Sequence, residues 1–202
     1  MQKLYPDNFF YTMRANLLFT LIALLFCSYV HAREFHFPAV YDACGPVKEI
    51  KTDSENPLVK KKVKFDKHGR GGIAMMKYND AGYPEGFELN ALGKLNFQKY
   101  FWNKDCRLDS VAVKFHVIGK AELITVKNAY SDKNLESQII RISDDNGQLE
   151  FRMTFKDYSY DDQGNWIFRT VSRTTVAPDG KVSESQFDET RSIKYYDIDK
   201  AK

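Results

Sequence analysis

Hydrophobic and polar residues alternate along most of the chain in short runs. Leu149, Phe151, Met153 and Phe155 are separated by single polar residues, and the run from 111 to 117 repeats the alternation. Successive side chains of a β-strand point to opposite faces, so this period predicts strands with one buried face. No window of a dozen residues carries a sustained apolar spacing of three and four, so any helix is expected to be short and peripheral.

Turn signals separate these runs at regular intervals. From Gly69 to Gly180, glycine, asparagine or equivalent positions follow each other at separations of 11 to 17 residues. Each interval accommodates one strand and a tight turn. We therefore predict an all-β fold, an antiparallel meander of about ten to eleven strands built from hairpin repeats. Such a sheet covers its apolar face by closing as a curled sheet, a barrel or a sandwich, and the pattern does not choose among them.

Several turns share one frame, in which Asp or Asn is followed by two variable residues and Gly, usually behind an aromatic residue. The predicted repeat-turn residues are Asp66 and Gly69, Asn79 and Gly82, Asp144 and Gly147, and Asp161 and Gly164. Asp and Asn hydrogen-bond the backbone just after them, and Gly adopts a positive φ without side-chain strain. The frame therefore predicts tight hairpins.

This frame resembles the YD repeats of the RHS family, whose units read roughly Tyr-x-Tyr-Asp-x-x-Gly-Arg. The matching residues fall in two units: Tyr158, Tyr160, Asp161 and Gly164 in one, and Phe65, Asp66, Gly69 and Arg70 in the other. Most units lack the second Tyr or the Arg, and the spacing drifts. The chain is also similar to small secreted bacterial proteins of undefined function that carry a few degenerate units. The resemblance implies a strand-and-turn unit and no particular activity.

The N-terminal segment has the pattern of a secretory signal peptide. An uncharged apolar run of 14 residues ends two residues before Ala32, whereas spanning a bilayer takes roughly 20. We predict a signal peptide over residues 1–32 and a single β-repeat domain over residues 33–202. Both Met1 and Met13 fit as the start of translation. The predicted location is the periplasm or the outside of the cell.

Charge and cysteine content follow from this export. The predicted mature chain carries 28 basic and 26 acidic residues, a net charge of +2, which does not favour nucleic acid or anionic lipid as partners. Cys44 and Cys106 are the two cysteines left after cleavage. Because exported cysteine pairs are normally bridged, we predict a disulfide that acts as a structural staple; two separate buried thiols are the alternative.

Candidate metal and catalytic chemistry is sparse. The residues considered are three histidines and two acidic turns: His36, His68, His116, Asp144, Asp145, Asn146, Asp161 and Asp162. The histidines lack a second histidine at metal-ligand spacing, and turn chemistry already accounts for the acidic residues that could bind calcium. Nucleophile-elbow, phosphate-loop and dinucleotide motifs are absent from the sequence. We therefore predict no cofactor, no metal and no enzyme activity.

Two further clusters favour structural roles. Lys60, Lys62 and Lys64 alternate on one face, as charged residues do on an edge strand that must not pair further; a polyanion-binding patch is the alternative. The aromatic residues within 97–102 could form a carbohydrate platform. Neighbouring residues on a strand face opposite sides, however, so some of these aromatics are expected in the core.

Together these observations predict an exported β-repeat protein that acts as a binding or interaction module, with an unknown protein or glycan partner. The expected mature chain has no stable transmembrane helix and binds no nucleic acid. Two alternatives from other classes remain: a small outer-membrane β-barrel, and an envelope enzyme whose site is not visible as a motif.

Overall fold

The structure is a computed structural model that describes residues 35–56, 59–91, 93–117, 120–132 and 134–197. The predicted signal peptide, residues 1–32, lies outside the described residues. One short 3-10 helix, Phe37–Tyr41, precedes the strands. The strands are β1 (Val47–Asp53), β2 (Lys62–Lys64), β3 (Lys77–Tyr78), β4 (Pro84–Ala91), β5 (Lys94–Trp102), β6 (Leu108–Val117), β7 (Lys120–Ser131), β8 (Asn134–Asp144), β9 (Gly147–Tyr160), β10 (Trp166–Val176) and β11 (Val182–Tyr195).

These strands form one antiparallel sheet with the order β2-β1-β11-β10-β9-β8-β7-β6-β5-β4-β3. The predicted all-β antiparallel meander is confirmed, because β3 to β11 pair with their neighbours in sequence. The first two strands depart from meander order, since β1 pairs with β11 and β2 pairs with β1. Consecutive strands β2 and β3 are therefore the two edges of the sheet, and the hydrogen-bonded ladder is not closed between them within the described ranges.

The sheet is curled, so that strands far apart in the sheet order pack together. Ile50 of β1 and Val63 of β2 share a buried cluster with Tyr100 of β5 and Leu108 of β6. Curling lets one sheet bury its apolar face against itself, which is one of the closures that the alternation allowed. A second buried cluster consists of Leu135, Ile140, Met153, Phe155, Val171 and Phe187.

Cross-strand register lines up hydrophobic side chains on the concave face. Val111 pairs with Val126, Val126 with Ile140, and Ile140 with Phe151. Directly opposed residues on one face of a sheet contact each other, so a row of this kind is a continuous apolar strip across β6 to β9. The inward position of Val111 and Phe151 agrees with the alternation in the sequence.

A short N-terminal segment spans the opening between the two sheet edges. The backbone N–H of Phe35 donates to the carbonyl of His68 at 2.9 Å, and that of His36 donates to the carbonyl of Gly82 at 2.9 Å. His68 follows edge strand β2 and Gly82 follows edge strand β3, so the segment ties the two edges together. Phe37 then buries its ring at the start of the 3-10 helix. In the part of the chain that is described, no helix has the length and apolar character needed to cross a membrane.

The predicted repeat turns at Asp66, Asn79 and Asp161 have the same geometry. In each, the N–H of the Asp or Asn donates to the carbonyl four residues later, and the N–H of the following Gly donates back to the Asp or Asn carbonyl. The side-chain oxygen also accepts the backbone N–H four residues later. The glycines have φ of 79° at Gly69, 84° at Gly82 and 77° at Gly164.

Two other turns differ from this set, one in the residue at the glycine position and one in its length. Asn103 begins a turn with the same hydrogen bonds, but Cys106 occupies the glycine position with a φ of 58°. Asp144 and Gly147 pair directly in the ladder between β8 and β9, so they close a shorter hairpin.

Antiparallel order places the β3–β4, β5–β6, β7–β8 and β9–β10 connections at one end of the sheet, termed here the turn end.

Candidate functional site: a cavity inside the curled sheet

A cavity of about 380 Å³ lies inside the curled sheet. Its volume falls in the range of roughly 300 to 1,000 Å³ that is typical of small-molecule sites. Strands β6, β7 and β8 contribute a continuous apolar part of the lining. This apolar wall consists of Leu108, Val111, Val113, Ile124, Val126, Leu135 and Ile140. A second part of the lining, termed the charged wall, consists of Trp166, Arg169, Glu189 and Arg191.

Both arginines of the charged wall lie over the indole ring of Trp166. The guanidinium carbon Cζ of Arg169 is 4.1 Å from the ring centroid, and that of Arg191 is 3.9 Å from it. Arg169 also lies 4.0 Å from the ring centroid of Phe155. A cation over an aromatic face is attracted by the ring quadrupole, by about 2 kcal/mol when the pair is desolvated. The stack holds these four side chains in fixed relative positions.

Irregular pairing between β9 and β10 brings Trp166 and Arg169 to the same cavity. Residues three apart on a regular strand point to opposite faces. Here the register shifts between Trp166 and Phe168, and again between Phe168 and Thr170. The first shift inserts an extra residue in β10, which bends the strand locally and turns both side chains inward.

Arg169 and Glu189 form a buried ion pair across β10 and β11. They are direct cross-strand partners, and Nε and Nη2 of Arg169 lie 2.7 and 2.6 Å from Oε2 of Glu189. Glu189 is only 1% exposed, and its other carboxylate oxygen accepts a hydrogen bond of 2.5 Å from the Ser54 hydroxyl. A charge this deeply buried is tolerated because its partner and a hydroxyl satisfy it.

Arg191 is buried without such a partner. Its hydrogen bonds within the described ranges go to backbone carbonyls, at 2.7 Å to Tyr41, at 2.9 Å to Asp42, and to Trp166. No ion pair joins it to a carboxylate among the residues that the structure describes. Burial lowers the pKa of Arg191 to about 10, because removal from water disfavours the charged form.

Asp42 supplies a second carboxyl group at the cavity. It follows the 3-10 helix in the left-handed region, with a φ of 51°, and it is half-buried. Burial raises the pKa of Asp42 above its ordinary value, while the nearby charges of Arg191, Arg169 and Arg107 oppose that rise. The carboxyl group of Asp42 thus acts on Arg191 through space, while the backbone carbonyl of Asp42 accepts a hydrogen bond from it.

Polar side chains next to the apolar wall satisfy one another. Gln138 donates to the side-chain oxygen of Asn128 at 2.9 Å, and Asn128 donates to the carbonyl of Leu108 at 2.8 Å. The hydroxyl of Tyr130 donates to the same carbonyl at 3.2 Å. Burial raises the pKa of Tyr130, and the charge of Asp42 raises it further. These groups therefore enter the cavity lining already paired.

The indole N–H of Trp166, unlike these polar groups, is not paired with any residue that the structure describes. The Trp166 side chain is 6% exposed, and its indole Nε1 finds no hydrogen-bond acceptor among the described residues. A buried donor without an acceptor costs about 1 to 3 kcal/mol, so an acceptor brought to this atom would stabilise the site. No group of three metal-binding side chains is found in the described ranges, and His36, His68 and His116 are not part of the cavity lining.

The structure places Cys44 and Cys106 as free, exposed thiols. The predicted disulfide is therefore absent from it, and so is the alternative of two buried thiols. Both residues lie at the turn end: Cys44 exchanges hydrogen bonds with the Asn165 side chain in the β9–β10 turn, and Cys106 lies in the β5–β6 turn.

The other candidate clusters are divided between the two faces of the sheet. Tyr100 lines the cavity whereas its neighbour Phe101 is half exposed on the convex face, as expected for adjacent strand residues. Lys62 and Lys64 flank the buried Val63 on edge strand β2. Lys60 precedes that strand and lines the cavity instead.

The acidic turn residues serve the turns. Asp144 accepts hydrogen bonds from the backbone and side chain of Asn146. Burial raises the pKa of Asp161, but hydrogen bonds from the Tyr195 hydroxyl and from backbone N–H groups outweigh it and leave the pKa below its ordinary value. The carboxylate thus links the β9–β10 turn to the end of β11.

Comparison with known proteins adds no family to this geometry. No family model, no curated protein and no solved structure matches the chain. The functional inference therefore depends on the residues of the cavity.

Proposed function

We propose that this protein is an exported binding module whose ligand is a small molecule that enters the curled sheet. The observation that carries the proposal is the cavity of about 380 Å³, lined by side chains from both halves of the sheet. Closed or nearly closed sheets with an unfilled interior hold small ligands in this way. Export is supported by the apolar N-terminal run of the sequence.

The chemistry of the lining favours a small apolar molecule over a protein or glycan partner. The inward side chains of the apolar wall are aliphatic, and the polar groups beside it are mutually paired. A glycan would need many unpaired donors and acceptors, since each buried hydroxyl must find a partner. A protein partner would need an exposed surface rather than an interior.

Binding can be tested on the mature chain, purified from the native envelope and stripped of lipid. We expect the fluorescent probe 1-anilinonaphthalene-8-sulfonate to bind at one saturable site and to raise the melting temperature. Ile140→Trp fills the cavity from the apolar wall and should abolish binding. Ile139→Trp is the matched control, because Ile139 belongs to a patch on the convex face. Equal binding to both folded variants, or no binding to the parent protein, would contradict the proposal.

The Cys44–Cys106 disulfide belongs to the same proposal. Its support is the location of both thiols at the turn end and the φ of 58° at Cys106. A left-handed conformation costs a non-glycine residue about 1 to 2 kcal/mol, so a cysteine is an unfavourable choice there unless its sulfur has a role. Intact-mass measurement of the envelope protein should give a chain that begins at Arg33 and is two hydrogens lighter than after reduction. A chain with two free thiols would rule out the bridge.

A further inference from the structure

We propose that the ligand is an amphipathic molecule with one anionic head group, and that Arg191 and Trp166 receive this head. The inference rests on the proposed function and specifies its ligand class. The apolar body of the ligand would lie against the aliphatic side chains of the apolar wall.

The first observation is a buried cation whose hydrogen-bond partners in the described residues are neutral carbonyl groups. Arg191 is 6% exposed, and in the described part of the chain its hydrogen bonds go to carbonyl oxygens. A buried charge is expensive unless an opposite charge contacts it. Arg169, its neighbour over the same indole ring, has Glu189 as a contact partner at 2.6 Å. The pair of arginines therefore has one carboxylate in contact where two would be expected.

The second observation is the unpaired donor beside that cation. The indole Nε1 of Trp166 has no acceptor in the described part of the chain, and Cζ of Arg191 lies 3.9 Å from the indole centroid. A carboxylate, sulfonate or phosphate-type oxygen accepts from an N–H and neutralises a guanidinium at the same time. One anionic head would thus satisfy both groups.

The third observation is the charge of the lining as a whole. The cationic side chains are Lys60, Arg169 and Arg191, and the acidic ones are Asp42 and Glu189. Lys60 is exposed to solvent and burial raises the pKa of Asp42, so the fully buried charges are the two guanidinium groups and one carboxylate of the charged wall, a balance of +1. A ligand with a single negative charge restores neutrality, whereas a cationic ligand would increase the imbalance.

The test uses three ligands with the same apolar chain, namely decanoate, decanol and decylamine, measured by isothermal titration calorimetry. Decanoate should bind about ten-fold more tightly than decanol, since hydrogen bonds between charged groups are stronger than those of a neutral hydroxyl. Decylamine should bind most weakly. Trp166→Phe keeps an aromatic ring but removes the donor, and should reduce the decanoate advantage about three-fold, because Arg191 still attracts the carboxylate.

Trp102→Phe is the matched control. Trp102 lies outside the cavity lining, and its Nε1 already donates to the carbonyl of Pro84 at 2.7 Å. This variant should keep the preference for decanoate.

Equal affinity for decanoate and decanol would overturn the anionic head and leave the cavity as a binding site. Failure of all three ligands and of the fluorescent probe would overturn the proposed function as well. If Trp166→Phe does not fold, the ranking of the three ligands on the parent protein still decides the inference.

Discussion

The apolar and charged walls of the cavity are built in different ways. Val111, Val126 and Ile140 on the apolar wall are direct cross-strand partners in a regular ladder. On the charged wall, Trp166 and Arg169 share a face only because the β9–β10 register is irregular. The regular part of the sheet therefore sets the shape of the cavity, and its irregular part sets the polarity.

The two walls also differ in what each side chain contributes to stability. An aliphatic residue contributes by leaving water, and its loss creates a hole of its own size. A charged residue contributes only through its partner, and its loss leaves that partner buried and unpaired. This difference predicts larger single-residue effects on the charged wall than on the apolar wall.

The largest loss of stability is expected for Glu189→Gln. The substitution keeps the shape of the side chain but leaves Arg169 without its counter-charge, at a cost of about 3 to 4 kcal/mol in the free energy of unfolding. Urea unfolding at neutral pH measures it. Glu88→Gln is the control, because the Glu88–Lys99 pair is nearly half exposed on both sides and should contribute less than about 1 kcal/mol. Similar losses of stability in the two variants would show that the buried ion pair contributes no more than the exposed one.

A smaller loss of stability is expected when a side chain of the apolar wall is truncated. Ile140→Ala removes buried methyl groups from a residue that is 5% exposed, and should cost about 2 kcal/mol, at the low end for such a change because the site already borders a cavity. Ile139→Ala, its half-buried neighbour on the convex face, should cost about 1 kcal/mol. If Ile140→Ala proved as costly as Glu189→Gln, the two walls would not differ in the way proposed.

A pH-dependent effect of about 1 kcal/mol is expected for Asp161→Asn. Asn fits the turn, since Asn79 and Asn103 occupy the same position in equivalent turns, but it loses the negative charge that Tyr195 contacts. The pKa of Asp161 is lower in the folded protein than its ordinary value, so the folded state binds fewer protons than the unfolded chain. Its stabilisation is complete above about pH 4 and disappears as the pH falls through the folded-state pKa.

Urea unfolding of the parent protein and of Asp161→Asn at a series of pH values checks this. The two curves should differ at neutral pH and converge in acid. A constant difference down to the lowest pH would mean that the carboxylate charge is not the cause.

The smallest effect on stability is expected when both members of the buried pair are replaced together. Arg169→Met combined with Glu189→Leu removes both charges at once, and apolar residues of similar volume often replace such a pair within about 1 kcal/mol. Calorimetric melting of the double variant and of the two single variants separates the pair from its members. A double variant as unstable as Glu189→Gln would show that the hydrogen bond from Ser54 or the stack on Trp166, rather than pairing, determines the cost.

Much of the fold could be predicted because regular strands leave a regular trace in the sequence. The inward residues Val111 and Phe151 follow from alternation, and the turns at Asp66 and Asp161 follow from the Asp-x-x-Gly spacing. Alternation, however, predicts only which face each residue of a single strand occupies. It does not predict the pairing of β1 with β11, which depends on how far the sheet curls. The alternation therefore does not determine how the sheet closes.

The charged wall could not be predicted, for a related reason. Alternation assigns Arg169 to the face opposite Trp166, and the register shift that brings them together is a property of the strand pair. Glu189 and Arg191 lie two apart on β11, which would be compatible with either face. The one cue in the sequence was the presence of charged residues on both sides of the alternation in β10 and β11, which a solvated convex face also explains.

The pairing of the first strand with the last has a consequence for how the protein acquires its site. Arg191 receives its carbonyl partner from Tyr41, 150 residues earlier in the chain, so the charged wall combines contacts of very high sequence separation. Such contacts form late, because closing a long loop must precede the interactions that reward it. Strands β3 to β10 can each pair with a neighbour in sequence, whereas β1 must wait for β11, the last strand of the chain. The cavity lining is complete only after the two ends of the domain have met.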